Sequence, residues 1–264
     1  MGAEGTLGFI GGGRVTRLLL EGLRRADGLP RQVVVYDPEV NNIERLSTIV
    51  GDLLVKADNS RAVAEVADWV FLAVHPPVAA EVCGQIKSAL KRDATLISLI
   101  PTIRLHHLSG MLNGFNRIVR MIPNAPSMIG RGYNPVVYSD GLTAGDRSSL
   151  VSLFRHWGES PEVPEEHLEA YAIVTGMGPT YFWFQWLELM RLGTEFGLSE
   201  PGAREAMAAM LHGAVDAMFH SQLPAEQVLD LIPVHPLKND EEAIRQIFQN
   251  RLGSLYQKLK TATR

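Results

Sequence analysis

The stretch LGFIGGGRVT, residues 7–16, carries four glycines within six residues directly after an apolar run. This pattern predicts a strand that turns tightly into a helix, whose N-terminal N–H groups can hold a phosphate. In such turns the first glycine permits the tight backbone, the second lets the chain approach a pyrophosphate, and the third position allows close packing of helix and strand. Gly11 and Gly13 fill the first two positions, and Thr16 occupies the third, where Gly or Ala is more usual. The stretch therefore predicts a dinucleotide-binding turn.

An acidic residue, Asp37, follows the second apolar run in VVVYDP. A carboxylate at this place accepts hydrogen bonds from the adenosine ribose and repels a 2′-phosphate, which favours NAD over NADP. The opposing interpretation is that Arg14 or Arg45 folds over a 2′-phosphate. The predicted cofactor is therefore NAD or NADP, with NAD favoured.

Residues 6 to about 140 alternate short apolar runs with helical stretches, the pattern of β–α–β units and a parallel sheet. From about Pro164 onward the pattern is helical only. We predict an α/β protein, with an N-terminal Rossmann-type, doubly wound, mostly parallel sheet in residues 1–162 and an all-α dimerisation and substrate domain in residues 163–264. The predicted strands are Thr6–Ile10, Gln32–Tyr36, Trp69–Val74, Thr95–Ile100, Arg117–Ile122 and Pro135–Tyr138. The main predicted helices are Arg14–Arg25, Thr143 to about Trp157, His167–Gly197 and Glu200–Phe219.

Charge and cysteine content limit the partners. The formal net charge is −4, the sequence pI is about 6.1, and no block of Lys and Arg occurs, which argues against nucleic acid or an anionic membrane as the main partner. The single cysteine, Cys83, excludes an intramolecular disulfide and fits a reducing compartment, so we expect a cytoplasmic protein with a buried structural thiol. No metal ligands are predicted.

The 18 residues Ala170–Leu187 contain no charged side chain. A stretch of 18 residues is near the lower limit for a membrane-spanning helix. They include Gln185, two threonines, two glycines and a proline, and an acidic residue flanks each end. We therefore predict a helix buried in a subunit interface, not a membrane span. The next helix is rich in Gly and Ala, which permits close packing either on a partner chain or within one chain.

Several motifs together resemble the pyrroline-5-carboxylate reductase family: GFIGGGRV, DNSRAVAEVADWVFLAVHP, IVRMIPNAPSMIGRG and VTGMGPTYFWFQWLELM, followed by GLSEPGAREAM. The resemblance runs in order from residue 6 to about residue 220. It implies a Rossmann domain that binds NAD(P)H and a helical domain that forms a homodimer, or a higher oligomer, by interleaving helices. The small-molecule substrate would lie at the junction, where the second subunit contributes. The implied reaction is hydride transfer to a C=N bond, with proline biosynthesis as the leading candidate.

The resemblance also implies site residues. The cofactor would lie against Ile10, Gly11, Gly12, Gly13, Arg14, Val15, Asp37, Asn59, Ala73, Val74, His75 and Pro76. The substrate would lie against Asn124, Ala125, Gly176, Met177 and Gly178, the last three just before Pro179 in a predicted break of the long helix. Hydride transfer to a protonated imine needs mainly positioning, so no acid–base pair is expected to stand out. If a proton donor acts, the candidates are His75 and Thr175.

Because of three departures from the family pattern, the resemblance does not identify the substrate. His75 stands where the family has lysine, and Met177 stands where it has serine. After His235–Lys238 the family has a Ser-Pro-Gly-Gly-Thr-Thr loop that grips the substrate carboxylate, whereas this chain has Asp240–Glu242 and an amphipathic helix. Losing two or three charge-assisted hydrogen bonds to a carboxylate costs roughly 10²–10⁴ in affinity or rate.

The alternatives are a reductase of a different imine or ketone, and a dinucleotide-binding protein without turnover that acts as a redox sensor or partner protein. A dehydrogenase of the β-hydroxyacid type ranks lower, because it usually requires a lysine on the interdomain helix, and Ala170–Leu187 has none.

Overall fold

The computed structural model describes residues 5–263, which form nine strands and eleven α-helices. The strands are β1 Leu7–Ile10, β2 Val33–Tyr36, β3 Leu54–Lys56, β4 Trp69–Leu72, β5 Thr95–Ser98, β6 Ile118–Met121, β7 Gly132–Tyr133, β8 Val136–Tyr138 and β9 Gly158–Glu159. The helices are α1 Arg14–Arg25, α2 Val40–Val50, α3 Ser60–Val66, α4 Ala79–Ile86, α5 Leu105–Met111, α6 Ala144–Phe154, α7 Leu168–Tyr171, α8 Pro179–Glu195, α9 Glu200–His220, α10 Ala225–Leu229 and α11 Glu241–Ala262.

Seven strands form one sheet in the order β3-β2-β1-β4-β5-β6-β8. All neighbouring pairs are parallel except β6 with β8, which is antiparallel. Strands β1 and β4 lie side by side, and the strand order runs outward from them in both directions. Ligands of open α/β sheets bind beyond the carboxyl ends of the strands at such a switch point. The topology confirms the predicted doubly wound, mostly parallel sheet.

The sheet is packed on both faces, as a parallel sheet must be. Successive residues of β1 and β5 enter opposite core clusters, because strand side chains alternate between the two faces. On one face the rings of Phe9 and Phe71 stack with centroids 4.5 Å apart, and Trp157 donates an indole hydrogen bond to the Leu19 carbonyl at 2.8 Å. On the other face Cys83 is fully buried, and this burial raises the pKa of its thiol to about 11. The expectation of a buried thiol is confirmed.

The chain forms two compact units. The first extends to Met177 and includes the chain from Leu255 onward; the second is Gly178–Ser254. The second unit contains α8, α9, α10 and most of α11. Its regular elements are all helices, in agreement with the predicted helical C-terminal region. The predicted domain boundary after residue 162 stays a prediction.

Most predicted elements are present, and the differences have local causes. The bounds of α1 agree with the prediction, and Thr143 and Asp146 form the expected capping box at the start of α6. Strand β3 was not predicted, because it has only three residues and two of them are exposed. The predicted helix His167–Gly197 is interrupted by five residues of π-helix, Ala172–Gly176, and after two further residues Pro179 begins α8.

Candidate nucleotide-binding site

The glycine turn after β1 is built so that only glycine fits at its first position. Gly11 has φ +104°, in the region that favours glycine, and a Cβ placed there would lie 2.4 Å from the carbonyl oxygen of Ala73. Gly11 N–H donates to the Tyr36 carbonyl at 2.8 Å, and Ala73 N–H donates to Ile10 at 2.9 Å. These bonds join the carboxyl ends of β1, β2 and β4. The turn is therefore held tightly at the switch point of the sheet.

Thr16 fits its place in the turn by bonding back to it. The side chain is fully buried, and its hydroxyl donates to the carbonyl oxygen of Gly11 at 2.5 Å. The hydroxyl thus has a partner inside the turn, which explains how threonine is accommodated where Gly or Ala is more usual.

The Asp37 carboxylate, at the end of β2, hydrogen-bonds to the glycine turn and to the loop that follows β2. Its Oδ2 accepts a hydrogen bond from the Gly12 backbone N–H at 2.6 Å, and its Oδ1 accepts one from Glu39 N–H at 2.8 Å. Both carboxylate oxygens keep a further lone pair, so the group can still accept hydrogen bonds from a ligand. The negative charge is fixed beside the glycine turn.

A cavity of about 520 Å³ opens at the carboxyl ends of β1, β2 and β4. The cavity lies beside the N-terminus of α1, whose free N–H groups and dipole favour a phosphate. Its volume and position suit a dinucleotide. Its lining residues are Ile10, Gly11, Gly13, Tyr36, Asp37, Pro38, Glu39, Asn42, Ser60, Ala73, Val74, His75, Val78, Glu81, Val82 and Gln85.

A second, smaller depression of about 40 Å³ adjoins this cavity and shares Gly13 and Asn42 with it. Its other lining residues are Gly12, Arg14, Arg17 and Arg45.

The sequence of this chain is similar to enzymes of known activity. Residues 6–101 match a family model described as NADP oxidoreductase, coenzyme F420-dependent. The chain is 30% identical over 188 residues to pyrroline-5-carboxylate reductase of Escherichia coli strain K12, which covers 71% of this chain and 69% of that protein. It is also 30% identical over 219 residues to pyrroline-5-carboxylate reductase 3 of Xenopus laevis, covering 82% of this chain and 78% of that one.

The chain belongs to the pyrroline-5-carboxylate reductase family. The fold agrees with this membership. The crystal structure of Plasmodium falciparum pyrroline carboxylate reductase with NADP bound superposes with a TM-score of 0.85, at 23% identity and with all of both chains covered. The Coxiella burnetii pyrroline-5-carboxylate reductase superposes with a TM-score of 0.69, at 24% identity, over 97% of this chain and 95% of that one.

The structure of this family member brings most of the predicted cofactor residues to the cavity or to the depression beside it. The cavity is lined by Ile10, Gly11, Gly13, Asp37, Ala73, Val74 and His75, and the depression is lined by Gly12, Gly13 and Arg14. Val15 and Pro76 are exposed and line neither. Asn59 also lies outside both, because its side chain caps α3 by accepting a hydrogen bond from Ala62 N–H at 2.9 Å. The next residue, Ser60, lines the cavity instead.

The sequence analysis did not predict that helix α4 forms one wall of the nucleotide cavity. Glu81, Val82 and Gln85 face the cavity from this helix, with a hydrogen bond of 3.2 Å from the Gln85 amide to the Glu81 carboxylate. The spacing i, i+1, i+4 places all three side chains on one side of the helix. Drawing the sequence after β4 as a helix would have shown this shared face.

The predicted substrate turn after β6 is held by hydrogen bonds to Tyr133 and Asn134. Asn124 is buried; its backbone N–H donates to the Asn134 side chain at 3.0 Å, and its own side-chain oxygen accepts from Tyr133 N–H at 3.1 Å. Ser127 donates to the same Asn134 oxygen at 2.7 Å. Ala125 begins the short 3₁₀ turn that follows. The Asn124 side chain is therefore used within the fold, and its contact with substrate stays a prediction.

The π-helix lies against the end of β6. A Cβ on Gly176 would lie 3.0 Å from a methyl group of Ile122, so the Gly176 backbone lies close to this side chain where the family pattern has glycine. Met177 packs on the small apolar cluster that contains Ile122. The hydroxyl of Thr175 donates to the Tyr171 carbonyl at 2.9 Å. Gly178 begins the second unit. The structure thus confirms the predicted helix break, while the substrate contacts stay predictions.

The two candidate proton donors, His75 and Thr175, lie on different elements. His75 is exposed and precedes the 3₁₀ turn after β4, whereas Thr175 belongs to the π-helix and does not line the nucleotide cavity. Their catalytic assignment stays a prediction.

A buried ion-pair cluster below the predicted substrate turn was also missed. Arg120 on β6 is fully buried and donates hydrogen bonds to Glu165 at 2.8 Å, Glu169 at 3.2 Å and the Pro101 carbonyl at 2.6 Å. Glu169 accepts a further bond from Thr263 at 3.1 Å. Arginine in the middle of an apolar strand was the available signal, because a buried charge needs partners.

Within residues 5–263, no group of three or more His, Cys, Asp or Glu side chains is arranged to hold a metal ion. No helix in the same range has both the length and the apolar character that crossing a membrane requires.

Proposed function

We propose that this chain is an NAD(P)H-dependent reductase that transfers a hydride to the C=N bond of pyrroline-5-carboxylate. The observation that carries the proposal is the tight glycine turn at the mouth of a cavity large enough for a dinucleotide, in a chain that belongs to this family. Gly11, the N-terminus of α1 and Asp37 fit such a cofactor, because they offer close backbone approach, N–H donors and a ribose acceptor.

The cofactor supplies a hydride. The imine carbon of the substrate receives it, the electron pair of the C=N bond moves to nitrogen, and the protonated nitrogen becomes a secondary amine. The protein contributes binding and orientation, since the iminium already provides the electron sink. If a side chain provides the proton, we propose His75 or Thr175.

We further propose that NADH is preferred over NADPH. The support is the Asp37 carboxylate, fixed at the end of β2 and lining the cavity. Asp37→Ser removes the negative charge, and we expect the ratio of kcat/KM for NADH to that for NADPH to fall. The variant also loses the two backbone hydrogen bonds that the carboxylate accepts. A thermal-shift scan measures how much this loss lowers the stability of the variant. An unchanged ratio would remove Asp37 from the ribose contact.

The test of the reaction is the loss of reduced-nicotinamide absorbance with purified protein, pyrroline-5-carboxylate and NADH or NADPH. We expect turnover that is saturable in both reactants.

A second candidate function is the reduction of an imine or ketone without that carboxylate. It is favoured by the chain after Lys238, where α11 begins at Glu241 in place of a Ser/Thr/Gly loop. Turnover of uncharged cyclic imines, with none on pyrroline-5-carboxylate, would select this candidate.

NAD+ binding without turnover of pyrroline-5-carboxylate or of the uncharged cyclic imines would instead select the alternative of a redox sensor or partner protein. Absence of nucleotide binding would contradict the proposed function as a whole.

We also propose a homodimer formed through the second unit. Helix α8 has no buried residue in the single chain, and its Phe184 and Leu187 are 65% and 62% exposed. Contiguous apolar surface of this kind marks a protein interface. Light scattering should give a dimer or larger oligomer, and Phe184→Asp with Leu187→Asp should reduce its mass. Val66→Asp, at an exposed apolar position on α3, is the control and should leave the mass unchanged.

A cytoplasmic location is proposed on the buried, unpaired Cys83. Fractionation of the source cells tests it, with recovery in a secreted fraction as the contrary result.

A further inference from the structure

Two tyrosines that the proposed reaction does not use lie against each other beside the predicted substrate residues. The rings of Tyr133 and Tyr171 have centroids 6.2 Å apart and planes inclined at 35°. Tyr133 lies on β7, after the turn that carries Asn124. Tyr171 ends α7 and directly precedes the π-helix Ala172–Gly176. Because aromatic rings at this separation attract each other, the contact joins the two segments that carry the predicted substrate residues.

The backbone of Tyr133 is fixed against the turn. Its N–H donates to the side-chain oxygen of Asn124 at 3.1 Å, and the residue pairs with Glu159 on β9. A Cβ on the preceding Gly132 would lie 2.0 Å from the hydroxyl oxygen of Ser127, so no side chain fits between this strand and the turn. A displacement of the turn therefore also displaces Tyr133.

The backbone of Tyr171 is tied to the π-helix. Its carbonyl oxygen accepts a hydrogen bond from the Thr175 hydroxyl at 2.9 Å. Met177 N–H donates to the Ala172 carbonyl at 3.0 Å across the wide turn. A π-helical turn is rare and is frequently found at functional sites. Gly176, a predicted substrate residue, lies in sequence between the two donors, so a displacement of Tyr171 is passed to the part of the chain that would contact the substrate.

The two rings act through packing and not through charge. Burial, the nearby Tyr171 phenol and the Glu159 carboxylate raise the pKa of the Tyr133 phenol above its ordinary value of 10.0, so the phenol is uncharged at neutral pH. Neither ring lines the nucleotide cavity. A change in the ring contact is therefore expected to alter the two substrate segments and to leave nucleotide binding as it is.

We propose that Tyr133 and Tyr171 are positioning residues of the substrate site, whose ring contact sets the spacing between the turn that carries Asn124 and the π-helix. This inference rests on the proposed function, because it places an imine substrate against both segments. Hydride transfer requires the imine carbon close to the nicotinamide, and a displacement of about 1 Å can lower the rate about a hundredfold. The ring contact is then required for turnover and not for cofactor binding.

Steady-state kinetics with NADH and the imine that the protein reduces test the proposal. Tyr133→Leu and Tyr171→Leu each remove one ring, whereas Tyr133→Phe and Tyr171→Phe keep both rings. We expect the leucine variants to lower kcat/KM for the imine about tenfold to a hundredfold, with the Kd of NAD+ from calorimetry within about threefold of the unmodified value. The phenylalanine variants should retain kcat/KM within about threefold, because the ring contact is kept. Tyr256→Leu, on α11 where the ring contacts Lys260, is the control and should change neither quantity.

Two further measurements examine the contact itself. The Tyr133→Leu, Tyr171→Leu double variant should lose no more activity than the more severe single variant, because both changes remove the same contact. Hydrogen exchange gives a readout that needs no turnover. In either leucine variant, the amides of both segments, residues 122–133 and 171–177, should exchange faster than in the unmodified protein.

The outcomes separate the two proposals. Independent, multiplying losses in the double variant, or phenylalanine variants as slow as the leucine variants, would overturn the positioning role. An equal loss of NAD+ affinity would overturn it as well, because it indicates a general destabilisation, and so would faster exchange confined to the segment that carries the substitution. If the unmodified protein reduces no imine, the proposed function fails instead, and the exchange measurement alone then decides whether the rings join the two segments.

Discussion

The hydroxyl of Thr16 donates a hydrogen bond to the carbonyl oxygen of Gly11 over 2.5 Å, entirely inside the protein. This bond connects the first turn of α1 to the residue with the positive φ angle. The hydrogen bond therefore stabilises the nucleotide-binding turn from within, and we call it the Thr16 brace.

Thr16→Val and Thr16→Ser separate the hydroxyl from the volume of the side chain. Thr16→Val keeps the shape and removes the donor, and we expect it to lower the free energy of unfolding by about 1–3 kcal/mol and to weaken NAD+ binding. Thr16→Ser keeps the donor and loses one methyl group, which costs about 1 kcal/mol in stability and leaves NAD+ affinity nearly unchanged. Urea unfolding and calorimetry measure both. Equal NAD+ affinities in the two variants would show that the brace does not act on binding.

The two glycines at the ends of the turn are expected to respond differently to alanine. In Gly11→Ala the new methyl group collides with the Ala73 carbonyl at a positive φ, so the variant should lose more than about 2 kcal/mol of stability. At Gly13 φ is −72° and no atom lies within 4 Å of an added Cβ. Gly13→Ala should therefore unfold at nearly the normal urea concentration and yet weaken NAD+ binding, because the methyl group occupies space that faces the cavity. Comparable loss of stability in both variants would contradict this account.

The sequence contained the information for elements with strong local signals and lacked it for contacts made at a distance. Helix α1 was predictable to the residue because its apolar face and glycine start are local. Strand β3 was not, since it has only three residues, two of them exposed, and it is recognised as a strand only by its pairing with β2. At the site, Gly11 and Asp37 were predictable from spacing. The depression between α1 and α2 was not, because Arg17 joins it only when the two helices pack.

Replacement of the buried arginine on β6 is expected to destabilise the protein strongly. Arg120→Met leaves the buried Glu169 carboxylate without its guanidinium, and removing one partner of a buried ion pair costs about 3–5 kcal/mol. Arg120→Met combined with Glu169→Gln should recover part of this loss, which a double-mutant cycle in urea would quantify. Arg61→Gln, in an exposed pair with Glu65, is the control and should shift the midpoint much less. Additive losses for Arg120 and Glu169 would show that the two are not coupled.

The Asp146 carboxylate at the start of α6 should contribute to the dependence of stability on acid pH. A hydrogen bond of 2.7 Å from the Arg117 guanidinium, with further bonds from Thr143, lowers the pKa of Asp146 to about 2 from an ordinary value of 3.8. Because the pKa is lower in the folded protein, the stabilisation is complete above about pH 4 and is lost as the pH falls toward about 2. Asp146→Asn should therefore reduce the urea midpoint at neutral pH and flatten its decline between pH values of about 4 and 2. Asp140→Asn, at an exposed position, should retain the steep decline, and the same slope in both variants would exclude Asp146 as its source.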